Sequence, residues 1–148
     1  MRTLKLFGLL AFILAGCRDD LPPLPDNPVV FEISELTVPD TVSETEIRLK
    51  LRRAAEADSR VILDISTSGL TYGQDFTTLP EAVKNRISVS VPAGSTEATL
   101  RLSKLPALEL TGNQSLSFTL QTATAPVIPG RSQRLTVKFT LDETSDKG

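Results

Sequence analysis

The sequence predicts an all-β fold, with two antiparallel sheets packed face to face as one sandwich. Three observations carry that expectation. Seven short segments alternate apolar and polar residues with a period of two, the pattern of strands with one buried face. Between them stand Pro, Gly, Asn, Asp and Ser in small clusters, which favour turns over helices. The chain has 148 residues, 40% of them hydrophobic, enough for one ordinary core and marginal for two.

The strands follow in order. Val29, Phe31 and Ile33 share one face. Ile47, Leu49 and Leu51 alternate with Glu46, Arg48, Lys50 and Arg52. Val61, Leu63 and Ile65 form a third strand, and Ile87, Val89 and Val91 a fourth. Ala98, Leu100 and Leu102 come next, then Leu116, Phe118 and Leu120. Leu135, Val137, Phe139 and Leu141 close the series. Turn formers separate them at Pro39-Asp40, Ser68-Gly69, Pro92-Ala93-Gly94, Thr111-Gly112-Asn113 and Pro129-Gly130. Only Pro80 to Asn85 reads as helical, for about one turn. Seven such strands point to an immunoglobulin-like sandwich over residues 29–142, followed by a polar tail over 143–148. The chain lacks tryptophan and has one cysteine, so the Cys…Trp…Cys pattern of antibody domains is absent.

The amino end has a different composition. Arg2 and Lys5 precede an apolar run from Leu6 to Ala15, too short for the roughly 20 residues a spanning helix needs. Its length suits a secretory signal, expected over residues 1–16. Leu14-Ala15-Gly16-Cys17 resembles the lipobox of bacterial lipoproteins. The resemblance implies that the Cys17 sulfur carries a diacylglyceryl group and that Cys17 becomes the acylated first residue. Two or three acyl chains make a membrane attachment stable where one does not. Arg18 stands where an aspartate would cue inner-membrane retention in some bacteria, which implies the outer membrane. Cys17 followed by Asp19-Asp20 is also similar to surface-export signals of Bacteroidota lipoproteins. Residues 17–28 then form a tether. Leu21 to Pro28 holds four prolines and favours polyproline II, so Arg18 to Pro28 reaches roughly 34 Å at about 3.1 Å per residue.

Composition narrows the function. The net charge of -2 gives no footprint for nucleic acid. The chain holds no histidine, so no Ser-His or Cys-His pair and no His-ligated metal can form within it. One cysteine forms neither an internal disulfide nor a structural zinc site. Arg48, Lys50, Arg52 and Arg53, extended by Arg60 if the next strand is a neighbour, make a basic strip. The strip either meets an anionic partner or is a solvated sheet face or a charged protective edge.

Gly73-Gln74-Asp75-Phe76, the strand-turn-strand run Ile87 to Leu102 with its Pro92-Ala93-Gly94 turn, and Phe118-Thr119-Leu120 ahead of Gly130 resemble Calx-beta domains in that order. The run is similar to small Bacteroidota lipoproteins as well. The Calx-beta resemblance implies calcium held at one end of the sandwich by loop carboxylates. The matching positions are Asp40, Asp75 and Asp142, the last with Glu143. Where the family has an acidic pair, this chain has Ser103 and Lys104, with Glu109 the nearest acid beyond. The other reading of Asp75 is structural: it accepts backbone N–H bonds in a turn that Gly73 makes possible, while Phe76 plugs the sandwich end. The expectation is a lipid-anchored, non-catalytic binding or structural accessory that meets a protein or glycan at a sheet edge or the loop end, with no cofactor. The alternatives are a calcium-binding module, a subunit of an envelope complex, and a hydrolase using carboxylates alone.

Overall fold

The computed structural model describes residues 25–141. The signal segment, Cys17, most of the tether, Asp142 and the polar tail lie outside the described residues. Ten strands form two five-stranded sheets. They are β1 Asn27–Phe31, β2 Glu35–Pro39, β3 Glu44–Leu51, β4 Ser59–Ser68, β5 Phe76–Leu79, β6 Arg86–Val91, β7 Glu97–Lys104, β8 Ser115–Ala123, β9 Val127–Pro129 and β10 Arg134–Thr140. One sheet runs β5-β7-β3-β1-β9 and the other β2-β10-β8-β4-β6. The described residues contain no helix, and so none long and apolar enough to cross a membrane.

The immunoglobulin-like sandwich is as expected, and the seven expected strands correspond to β1, β3, β4, β6, β7, β8 and β10, except for the terminal residues Ile33, Arg52 and Leu141, which lie outside them. Their apolar faces close one core, in which Val29, Leu49, Leu63, Ile87, Leu100, Phe118 and Val137 are all but inaccessible to solvent. The strand count is corrected from seven to ten by short elements with weak patterns. In β5, FTTL, the inward residues are Phe76 and Thr78, and threonine does not register as apolar. Element β9 has three residues and ends in proline. The wholly antiparallel expectation is corrected as well: β1 pairs with β9, and β2 with β10, in parallel.

The chain changes sheets between β1 and β2, which explains one misplaced residue. Ile33 sits in that crossover at 47% exposure and not in a strand. Leu141 lies one residue past β10, also exposed. Pro80 to Asn85 is not helical. Val83 and Arg86 exchange backbone hydrogen bonds at 2.9 and 3.0 Å around Lys84 and Asn85, both at positive φ, which is the geometry of a tight hairpin turn.

The two ends of the sandwich differ. Strand β3 runs from Glu44, opposite Ser103, to Lys50, opposite Glu97, and its last residue Leu51 lies opposite Val29. Asn27 therefore enters the sheet at the end where β3 finishes. Its buried amide makes two bonds to Arg53: Nδ2 donates to the carbonyl at 2.9 Å and Oδ1 accepts the N–H at 3.0 Å. The Arg53 guanidinium donates to the carbonyls of Asp26, at 3.0 Å, and Pro25. These contacts fix where the preceding segment meets the domain. Asn27 and Pro28 belong to β1, so sheet pairing begins two residues before Val29. The opposite end carries the close of β2, β7 and β10 and the start of β5, about 24 Å away along β3.

Candidate binding face at the far loop end

Lys104 is the last residue of β7, and its backbone N–H donates to the Ser43 carbonyl at 2.8 Å. Its side chain crosses the end of β2. There Nζ donates to the carbonyls of Pro39 at 2.8 Å and Asp40 at 3.0 Å. Burial pushes the ammonium below the usual lysine range, and the Asp40 carboxylate opposes that shift. Asp40 is held in place by its backbone N–H on the Thr140 carbonyl at 3.0 Å.

Asp75 lies at the same end. Its Oδ2 accepts the Thr71 N–H at 2.7 Å, and its carbonyl accepts the Leu105 N–H at 2.9 Å. Gly73, at φ +85°, lets the chain reverse so that its N–H meets the Phe76 carbonyl at 2.8 Å. Phe76 is fully buried and meets Tyr72 edge to face at 5.3 Å. The Tyr72 hydroxyl in turn accepts the N–H groups of Ala82 at 2.9 Å and Thr78 at 3.3 Å.

The fold thus brings Asp40 and Asp75 to one end, joined through Lys104 and Leu105. Asp142 lies outside the described residues. Calcium asks for six to eight oxygens. Asp75 spends one carboxylate oxygen on its own turn, and the Pro39 and Asp40 carbonyls already accept from an ammonium. Among the described residues no three acids, histidines or cysteines gather as a metal would need. The described residues do not fit a calcium ion while Lys104 occupies its place.

Beside Lys104 opens a cavity of about 400 Å³. Asp40, Ser43 and Lys104 form its polar side, and Leu105, Leu108, Leu110 and Leu141 its apolar side. Sequence reading missed this site. Its signal lies in Leu105-Pro106-Ala107-Leu108-Glu109-Leu110, an apolar stretch whose period is neither two nor 3.6, within a loop.

The basic strip lies elsewhere. Arg48 and Lys50 are on β3, the central strand of its sheet, and Arg52 and Arg53 follow it, so the strip is not an edge. Carboxylates interleave it: Arg48 meets Glu46 at 3.1 Å, Lys50 meets Glu97 at 2.6 Å and Glu32 at 3.8 Å, and Arg53 meets Glu56 at 3.7 Å. The hydrogen bond to Glu97 raises the Lys50 pKa, and the same bond lowers that of Glu97. Arg60 does not join the strip, because β4 belongs to the other sheet. It borders a second cavity of about 540 Å³ with Asp58, Ser90 and Thr124, at the end where the chain enters.

No protein-family model and no curated protein matches the chain. Solved structures do. The chain is similar to the apo-form Calx CBD1 domain at 19% identity and TM-score 0.63, over 80% of this chain and 99% of that one. It is similar to the calcium binding domain CBD12 of CALX1.1 at 20% identity and TM-score 0.61, over 77% of this chain and 44% of that one. A two-domain protein of unknown function from Bacteroides fragilis matches at 15% identity and TM-score 0.51, over 79% of this chain and 46% of that one. The chain thus spans less than half of the latter two. At these identities the likeness establishes the fold, which is Calx-beta-like.

Proposed function

We propose that this protein is a lipid-anchored, non-catalytic accessory of the bacterial outer membrane that presents its far loop end to a protein or glycan partner. One observation carries the reading: the chain enters the sandwich at one end, and the cavity beside Lys104 opens at the other. A domain held by acyl chains on Cys17 through a proline-rich leash offers that far end outward. The lipobox resemblance at Leu14 to Cys17 supports the anchor, and the Arg53 and Asn27 contacts support a fixed entry point. The lack of histidine supports a role without acid–base catalysis of the Ser-His kind.

Mass spectrometry of protein from bacterial membranes tests the anchor. The expected first residue is Cys17 bearing acyl chains, and Cys17→Ser should release the protein from the membrane fraction. An unmodified Cys17 in the mature chain overturns the proposal. A photo-crosslinker at Leu108 should capture a partner that one at Thr99, on the outer sheet face, does not. Hydrolysis by the purified protein in a broad substrate panel would overturn the non-catalytic role.

A further inference from the structure

We propose that the Lys104 ammonium is a built-in cation, which ties β2 to β7 at the far end and so makes that end independent of calcium.

Two carbonyl oxygens, from consecutive residues at the close of β2, converge on Nζ at 2.8 and 3.0 Å. Main-chain carbonyls and carboxylates are the oxygens a hard cation would take. Here they point at an ammonium tethered by its own side chain to the end of β7, in the other sheet. The backbone of the same residue holds Ser43 on the other side of the β2–β3 turn. Lys104 thus grips that turn at both ends, on Pro39-Asp40 and on Ser43. The following residue, Leu105, is bonded to Asp75, so the β5 turn is joined to the same point. A divalent ion entering here would have to displace the ammonium, and the charge of Lys104 would repel it at short range. The Calx-beta-like fold would then keep the shape of this end by a covalently attached charge.

Thermal melts of the full-length protein in detergent, in chelator and in millimolar calcium, decide the matter. The wild-type midpoint should be the same in both. Lys104→Met keeps the apolar stem and removes the charge and its donors. It should lower the midpoint in chelator by about 3–6 °C. Lys104→Asp places a third carboxylate near Asp40 and Asp75 and frees both carbonyls. It should melt lower in chelator and recover at least half of the loss in calcium. A wild-type midpoint that rises with calcium overturns the inference, as does a methionine variant that melts with wild type. An aspartate variant that folds but does not respond to calcium overturns it too. If that variant does not fold in chelator, the wild-type and methionine melts decide alone.

Discussion

Lys50 and Glu97 face each other across β3 and β7 with 2.6 Å between Nζ and Oε2. Both are solvated, so the pair influences titration more than stability. Folding lowers the Glu97 pKa. Its contribution is complete above the ordinary glutamate value and is lost as pH falls through the lowered folded value. Lys50 runs the other way, contributing below the ordinary lysine value until pH rises through its raised folded value. NMR titration should find Glu97 protonating below the usual glutamate range, and Lys50→Met should return it towards that range. Tyr72 is a different case, since its hydroxyl closes the hydrogen bonding of two backbone N–H groups in a half-buried setting. Tyr72→Phe should cost about 1–2 kcal/mol in chemical denaturation, the cost of leaving donors unpaired.

At the scale of elements, the β5–β6 connection turns on Lys84 and Asn85 at φ 51° and 62°. Two positive φ values suit a type I′ turn, whose second central position prefers glycine. Asn85→Gly should therefore be neutral or stabilising by up to about 0.5 kcal/mol in denaturant melts. Gly130 is set by close approach rather than by φ. A Cβ there would lie 2.6 Å from Val30 Cγ1 and 3.1 Å from the Val29 carbonyl oxygen. Its N–H donates to that same carbonyl at 2.8 Å, just past the parallel β1–β9 ladder. Gly130→Ala should push the edge strand away and cost about 1–3 kcal/mol, read as a lower denaturation midpoint.

Over the whole molecule, pairing is overwhelmingly non-local. The parallel partners β2 and β10 bring Glu35 opposite Thr136, and β1 and β9 bring Asn27 opposite Val127. Closing such loops before any contact rewards them makes folding slow, in the range of milliseconds to seconds by stopped-flow mixing. Strand β10 stands between β2 and β8, so it completes one sheet on both sides. A chain ending before Arg134 should lose the cooperative melt altogether, since Leu135, Val137 and Phe139 are each fully buried. The same topology starts β1 at one pole and places Lys104 at the other.

A period of two is a local property that burial enforces residue by residue, so the all-β class, the seven main strands and the face each one buries were legible before any fold was seen. Asp75 with Gly73 was legible as a turn as well, for the φ that Gly73 adopts is a local requirement too. Which sheet each strand joins depends on pairings between residues far apart in the chain. Nothing local to β3 and β4 says that Arg48 and Arg60 face away on different sheets, or that β1 and β9 run parallel. The meeting of Asp40, Asp75 and Lys104 is likewise a product of long-range pairing, and so is the cavity beside them. A loop such as Leu105 to Leu110 has no period to read, and its leucines gain a role only when β7 carries them to the end where β2 and β10 stop.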